Sequence, residues 1–269
     1  MLCFGVAWFL AAVSSKKLGA FKSLFLFQLV GIPFFIFLIP FANFNFSINS
    51  LYGVLALGLY EALIMMVIFH ATEIGNVSVV GPIIDSYGLF ALPLGILFLN
   101  EQITLFKAFA AFLIFIGVIL LSIKASKKNL NIHKGVMPAL VGALGTAIYF
   151  IFVGVLARQV GWFINALVIR IGISIVLFFV LIFRKTDFKK LFSNNIWKIL
   201  IPAALLDVIG FSLFNASVLQ SKISYATVII SAQSFIIVLL SWWFLKERLK
   251  IYQIVGLFAV VLGLVILSL

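Results

Sequence analysis

Four charged residues lie inside long apolar stretches of the sequence, namely Glu61, Asp85, Arg170 and Asp207. A buried charge is costly unless it pairs with another group, reaches water or binds a ligand. Three acids and one base carry an excess of two negative charges when all four are ionised. Because burial disfavours the charged form of a carboxyl group, either one acid holds a proton at neutral pH or a cation lies among the acids. Both arrangements are typical of sites that exchange protons or bind cationic solutes.

Other polar side chains lie at similar depth in the apolar stretches, and each is either a ligand contact or a hydrogen bond between packed helices. Arg170 itself has two readings, as the ion-pair partner of one acid or as a clamp for a substrate carboxylate. We predict that substrate binding or coupling uses the four charged residues together with a set of five polar ones. That set is Tyr60, Tyr87, Tyr149, Asn215 and Gln233.

The remaining residue types exclude most catalytic chemistry. The sequence holds two histidines, one cysteine and seven acids, without metal-ligand spacing, a Ser-His-Asp arrangement or a phosphate-binding glycine loop. We therefore predict that the protein is not an enzyme and needs neither a metal nor another cofactor. Glu101 and Glu247 each precede an apolar segment, where a carboxylate accepts hydrogen bonds from the free amides of a helix start. We predict that both are structural turn elements.

The elements that hold these residues are predicted to be membrane-spanning helices. The chain is 65% hydrophobic and 10% charged, whereas a soluble domain is about half apolar and about a quarter charged. A span needs about 20 apolar residues, and the apolar runs here are continuous, unlike the alternating strands of a barrel. Pro82 and Pro93 predict a break in the fourth run. The ten runs lie near 1–15, 22–41, 48–70, 75–99, 103–123, 135–157, 161–183, 197–217, 222–245 and 250–269.

The two halves of the sequence resemble each other. Phe98–Ile103 aligns with Phe244–Leu249 at an offset of 146 residues, and the same offset pairs Glu61 with Asp207. We predict a first five-helix repeat at 1–123, a linker at 124–134 and a second five-helix repeat at 135–269. Because five is odd, the second repeat enters the membrane inverted relative to the first. Glu61 and Asp207 are then an inverted pair near the midplane, where secondary transporters build their sites, or interior acids that hydrogen-bond a neighbouring helix or pair with Arg170.

The basic residues divide unequally between the two sets of alternate loops. One set receives fifteen and the other receives Lys107, Arg158 and Lys222. Positive charge concentrates on the cytoplasmic side, so we predict a multi-pass protein of the cell membrane with both termini outside. The bases lie in short clusters without a basic helix or aromatic platform, which excludes nucleic-acid binding. The fifteen are Lys16, Lys17, Lys22, Lys124, Lys127, Lys128, Lys134, Arg184, Lys185, Lys189, Lys190, Lys198, Lys246, Arg248 and Lys250.

Two segments resemble the signature of a known family. Leu97–Thr104 and Trp243–Leu249 each end one apolar run and precede another that carries a late glycine, Gly117 or Gly263. In this respect the chain resembles EamA-type permeases of the drug/metabolite transporter superfamily over both halves. The resemblance implies an all-α membrane protein of ten helices, arranged as two repeats around a central cavity, that transports metabolites, amino acids or drugs.

The function predicted from the residues and the resemblance together is that of a secondary transporter. Its partners are a small-molecule substrate and the lipid bilayer, and alternating access is coupled to protons or exchange. The alternative is an integral membrane enzyme or flippase that acts on a lipid-linked substrate. The oligomeric state is open between a monomer and a homodimer.

Overall fold

The computed structural model describes residues 1–42, 48–75, 77–122, 135–192, 196–245 and 250–268. Within these ranges the regular elements are all helical. The predicted linker 124–134 and Glu247 lie outside the described residues.

The helices of the first half follow the predicted runs closely. The run near 22–41 is α-helical at first and then tightens into a 3₁₀ segment, Ile32–Phe41, that carries Pro33 and Pro40. Proline cannot donate the i→i−4 hydrogen bond of an α-helix, which is consistent with the change of helix type. The helices are α1 (Leu2–Leu18), α2 (Ala20–Gly31), α3 (Ile48–Ile74), α4 (Val77–Asp85), α5 (Tyr87–Leu99) and α6 (Leu105–Ser122).

The second half adds seven helices, one of which is a single short turn in a connection. Gly161 joins the first two at a positive φ of 79°, a conformation that glycine adopts without strain. The helices are α7 (Val136–Val160), α8 (Trp162–Phe183), α9 (Phe188–Phe192), α10 (Trp197–Ser217), α11 (Ile223–Ser231), α12 (Ser234–Leu245) and α13 (Ile251–Ser268).

The helices are those of a multi-pass membrane protein, as predicted. Six helical stretches of the described residues are long and apolar enough to cross a membrane, and three shorter apolar helices accompany them. Large apolar side chains cover the outside: Phe37 and Leu97 are each 74% exposed, and Trp243 is 76% exposed. Such a surface suits lipid, where backbone groups bond within each helix. The six stretches are Ala20–Phe41, Asn49–Ile74, Val136–Val160, Trp162–Phe183, Trp197–Ser217 and Ile223–Phe244.

Two predicted runs are broken at equivalent positions. The run near 75–99 breaks at Ser86, not at a proline, and Pro93 lies inside α5. Both the backbone amide and the hydroxyl of Ser86 donate to the carbonyl of Ile83, at 3.2 and 2.7 Å, so the turn tightens there. The run near 222–245 was predicted to be continuous, but it breaks after α11. There the backbone amide of Gln233 donates to the backbone carbonyl of Ile230 at 2.8 Å.

Equivalent helices of the two halves run in opposite directions along α7. Gly135 at the start of α7 packs against Ala71 and Gly75 at the end of α3. Arg158 near the other end of α7 donates to the carbonyl of Val218, the residue after α10, at 2.9 Å. The C-termini of α3 and α10 therefore lie at opposite ends of the bundle.

The outermost helix pair packs through glycines. Gly117 of α6 lies against Gly256 and Val260 of α13, and Gly263 of α13 lies against Ala110 of α6, with no room for a side chain at either glycine. Small residues allow such close approach between membrane helices. This pair stands apart from α2, α3, α8 and α10, which carry Gln28, Glu61, Arg170 and Asp207.

Candidate functional site

A central cavity of about 70 Å³ lies between the two halves, with room for a few water molecules. It is bordered by the middle of α3, α8 and α10 and by the breaks that separate α4 from α5 and α11 from α12. Seven of the nine residues predicted for binding or coupling line this cavity. They are Glu61, Asp85, Tyr87, Tyr149, Arg170, Asp207 and Gln233.

Arg170 and Asp207 form a buried ion pair between α8 and α10. The guanidinium also donates to the carbonyl oxygens of Phe27 and Gln28 in α2, at 3.3 and 3.5 Å. It lies directly against Gly31, where any side chain would overlap it. Arg170 thus ties α2, α8 and α10 together, and this geometry matches the ion-pair reading of the residue.

Glu61 has no such partner. It is 1% exposed in the middle of α3, and both carboxylate oxygens lack a hydrogen-bond partner among the described residues. Buried polar side chains in folded proteins are usually hydrogen-bonded, so each exception needs a reason. An acid that faces a cavity without a partner is free to take up a proton or a cationic group.

Asp85 and Gln233 join the two helix breaks. The Gln233 amide nitrogen donates to Oδ1 of Asp85 at 2.6 Å, a contact between residues that are 148 positions apart in the sequence. The second oxygen of Asp85, the amide oxygen of Gln233 and the hydroxyl of Tyr87 are buried without a partner among the described residues. The breaks therefore present unused acceptors and one hydroxyl to the cavity.

Tyr60 and Asn215 do not line the cavity, and each makes a hydrogen bond between packed helices. The Tyr60 hydroxyl donates to the carbonyl of Gly145 at 3.0 Å, across the α3–α7 contact. Asn215 accepts a hydrogen bond from Asn165 at 2.7 Å and donates to the carbonyl of Phe211 at 2.9 Å. Both side chains serve helix packing.

Glu101 stabilises a helix start, but not the one that follows it. Its carboxylate accepts the backbone amides of Ile223 and Ser224 at 2.9 and 3.4 Å, together with the Ser224 hydroxyl. These groups open α11 in the second half, whereas the prediction placed Glu101 on α6. Asn100 explains the redirection, because it ends α5 in the left-handed conformation at φ 50° and turns the chain.

Two more contacts hold the same end of the bundle. The Lys222 ammonium donates to the carbonyl of Gln102. Arg158 donates to the carbonyls of Val218 and Ser221, at 2.9 and 2.7 Å. With the Glu101 contacts they join connections of the two halves at one end of the bundle.

The cavity walls contain residues that the site prediction did not include. Gln28 is the counterpart of Arg170 at an offset of 142 residues, and its backbone carbonyl receives a bond from Arg170. The hydroxyl of Thr146 is buried without a partner among the described residues. A threonine usually bonds its own helix backbone, so residue type alone does not single it out. Aromatic rings complete the wall: Trp8, Phe27, Phe150 and Phe211.

Among residues 1–42, 48–75, 77–122, 135–192, 196–245 and 250–268, no group of three or more His, Cys, Asp and Glu side chains could hold a metal ion. Asp207 pairs with Arg170, Asp85 accepts a hydrogen bond from Gln233, and Glu61 has no hydrogen-bond partner among the described residues.

Comparison with known proteins identifies relatives of both halves. A family model described as the EamA-like transporter family matches residues 1–123 and 133–269. Chains of solved structures match as well, 28 in number. One of them, a crystal structure of a protein, superposes with a TM-score of 0.76 and 13% sequence identity over 100% of this chain and 97% of the other. At that identity the likeness shows the fold alone. No curated protein matches the sequence.

Proposed function

The chain belongs to the EamA-like transporter family, and from that premise we propose that it is a secondary transporter that exchanges a cationic small solute for protons. The observation that carries this proposal is the carboxylate of Glu61 in the central cavity, which has no hydrogen-bond partner in the described part of the chain. A family of transporters does not favour the alternative of a lipid-modifying enzyme or flippase.

The proposed architecture has ten spans in two inverted five-helix repeats. It is supported by the opposite directions of α3 and α10 and by the two breaks at an offset of 146 residues, Ser86 and Ala232. Discontinuous helices at the midplane are a recurring way to build a transport site, because rocking of one repeat against the other exposes the site to each side in turn. The small size of the cavity is consistent with a state that is closed to a metabolite.

Cation binding is supported by which charged groups of the cavity already have a partner and which do not. Arg170 is occupied by Asp207 and by two backbone carbonyls of α2, so it has little capacity for a substrate carboxylate. Glu61 and the second oxygen of Asp85 have no partner among the described residues. Aromatic faces attract cations, and seven aromatic side chains, Trp8 and Phe27 among them, line the same cavity.

Exchange follows from the same carboxylates. A buried acid without a partner is most stable when neutral, and a proton is the smallest cation that can neutralise it. Binding of an organic cation then displaces the proton, so the two occupy Glu61 in alternation. Each time the exposure of the site changes from one side of the membrane to the other, the site carries either the proton or the organic cation.

We propose that the protein lies in the cell membrane with both termini outside. The support is the excess of bases at the ends of α1 and α8, where Lys17 and Lys185 are exposed. To test the orientation, single cysteines replace Lys185 and Gln220 at opposite ends in a Cys3→Ser background. An impermeant maleimide should label position 220, and not position 185, in intact cells. Labelling of position 185 alone would show that the protein has the opposite orientation.

The functional test uses proteoliposomes that contain a trapped pH-sensitive dye. Benzyltrimethylammonium is a suitable probe, because its permanent charge prevents it from crossing the bilayer as a neutral amine. With wild-type protein we expect a gradient of the cation to drive protons in the opposite direction. Phenylalanine and phenylacetate at the same gradient serve as the zwitterionic and anionic comparisons.

The matched pair of variants is Glu61→Gln and Glu73→Gln, the same change on one helix. Glu73 lies at the end of α3, where its carboxylate accepts the amide of Ala20 at 3.1 Å, and it does not line the cavity. We expect Glu61→Gln to abolish proton movement and Glu73→Gln to retain it. Equal flux through wild type and Glu61→Gln would remove Glu61 from the mechanism.

A further inference from the structure

A second apolar pocket opens on the outside of the bundle, between α2, α8 and α9. It is a groove of about 370 Å³ whose walls are hydrophobic apart from one serine. We call it the α2–α8 groove. It is separate from the central cavity. Its lining residues are Phe25, Leu29, Ile32, Ile171, Ser174, Ile175, Phe178, Phe188 and Phe192.

The α2–α8 groove offers an occupant apolar contact and no spare hydrogen-bond donor. The one polar side chain, Ser174, donates to the backbone carbonyl of Arg170 at 2.9 Å. At one end the rings of Phe25, Phe178 and Phe188 pack together, with centroids 5.7 to 6.3 Å apart. A flexible hydrocarbon chain suits such a surface, because it gains from apolar contact and has no polar groups to satisfy.

The apolar stripe on α2 leads to a base. Lys22, Phe25, Leu29 and Ile32 follow one another at steps of three, four and three residues, which places them on one face of a helix. Lys22 is exposed at the start of that face. A chain that lies along the stripe therefore ends beside an ammonium group.

The stripe on α8 leads to the same end. Ile171, Ile175 and Phe178 follow at steps of four and three residues, and Arg184 and Lys185 are exposed just beyond the helix. The Arg184 guanidinium lies 3.8 Å from the centre of the Phe21 ring, which brings it next to Lys22. The segment 184–192 holds four bases and one acid, Asp187.

We propose that the α2–α8 groove binds one acyl chain of an anionic glycerophospholipid whose phosphate lies among Lys22, Arg184 and Lys185. The apolar walls match the chain, and the cationic end matches the phosphate. Basic pockets between membrane helices bind anionic head groups, and the guanidinium fork fits phosphate oxygens in pairs. Because α8 carries both the groove residues Ile171 and Ile175 and the paired Arg170, an occupied groove supports the helix that carries the central ion pair.

Native mass spectrometry of the purified full chain tests the proposal, with dioleoylphosphatidylglycerol and dioleoylphosphatidylcholine as probes that share their acyl chains. We expect one phosphatidylglycerol to stay bound per protein, and phosphatidylcholine, whose head group carries no net charge, to bind at least about tenfold more weakly. Thermal unfolding in detergent should show a higher midpoint with phosphatidylglycerol alone. Equal retention of both lipids would overturn the proposal.

Two charge-matched variants separate a site from general attraction. Lys22→Gln with Lys185→Gln removes two bases at the α2–α8 groove, whereas Lys16→Gln with Lys17→Gln removes two exposed bases at the end of α1. The first pair should lose about tenfold in retention of phosphatidylglycerol and the second should lose none. Equal losses in the two pairs would reduce the effect to net charge and contradict a specific site.

A third variant tests the groove itself without changing charge. Ile175→Trp places a bulky ring in the α2–α8 groove from a side chain that is 52% exposed, so the fold has room to accept it. We expect this variant to unfold at the wild-type midpoint without lipid and to gain no stability from phosphatidylglycerol. If phosphatidylglycerol raised the unfolding midpoint of this variant as much as that of wild type, the acyl chain would have to lie elsewhere.

Discussion

Glu61 and Asp207 occupy equivalent positions in the two halves of the chain, yet their surroundings differ. Asp207 is paired with Arg170, whose other donors hold the backbone of α2. Glu61 has no hydrogen-bond partner among the described residues. The same contrast extends to the helix breaks, where the first half supplies the acid Asp85 and the second half supplies the neutral Gln233. We therefore propose that the two halves have different roles: the second half stabilises the structure through the Arg170–Asp207 pair, and the first half keeps carboxylates available.

Removal of Arg170 is the strongest way to break this contrast, because it leaves Asp207 as unpaired as Glu61. Breaking a buried ion pair from one side costs about 3–5 kcal/mol. We expect Arg170→Ala to lower the free energy of unfolding by that amount, measured by thermal or denaturant unfolding in detergent. The double variant Arg170→Ala with Asp207→Asn leaves no unpaired charge and should recover most of the loss. An unfolding free energy for Arg170→Ala within about 1 kcal/mol of wild type would be incompatible with a structural pair.

Gln233→Leu sharpens the contrast at the helix breaks, where it removes the amide that bonds to Asp85. Removing one partner of a buried hydrogen bond costs about 1–3 kcal/mol, and we expect a loss of stability in that range. Gln220 is exposed at the end of α10, so Gln220→Leu is the control and should unfold like wild type. If the two variants were equally stable, the contact between the breaks would be incidental.

Glu101→Ala tests a first-half acid whose carboxylate contacts the second half. The carboxylate accepts the first amides of α11, and loss of a helix cap costs about 0.5–2 kcal/mol. Glu101→Gln keeps an oxygen that can accept the Ile223 amide, so it should recover part of that loss in the same unfolding measurement. Equal stability of the Ala and Gln variants would argue against capping.

The apolar runs of the sequence predict where the helices lie, but not how each helix is rotated. Tyr60 and Glu61 are neighbours on α3, about 100° apart around the helix axis, and only Glu61 reaches the cavity. In a soluble protein a polar face would indicate the orientation. Here lipid and protein interior are both apolar, so the sequence of α3 shows no such face. For the same reason the sequence did not show that Gln233 lines the cavity and Asn215 does not.

Contacts between the halves were also beyond the reach of the sequence. Glu101 was predicted to stabilise the start of the helix that follows it. Its carboxylate instead contacts the start of α11, which begins 122 residues later. The break near Ser86 was expected at a proline, and the break near Gln233 was not expected at all. Both breaks face each other through the bond between Asp85 and Gln233, which is a property of the packed bundle and not of either segment.

The smallest effect on stability is expected at Glu61 itself, and it decides the comparison. The carboxylate forms no hydrogen bond with the described residues, so Glu61→Gln forfeits none, and we expect the unfolding free energy to change by less than about 0.5 kcal/mol. Asp207→Asn is the same kind of change at the equivalent position, but it leaves the guanidinium of Arg170 buried without its counter-ion and should be clearly less stable. The two variants are compared in one detergent by thermal unfolding. If Glu61→Gln were the more destabilising of the two, Glu61 would be the acid that stabilises the fold, and the proposed roles of the two halves would be reversed.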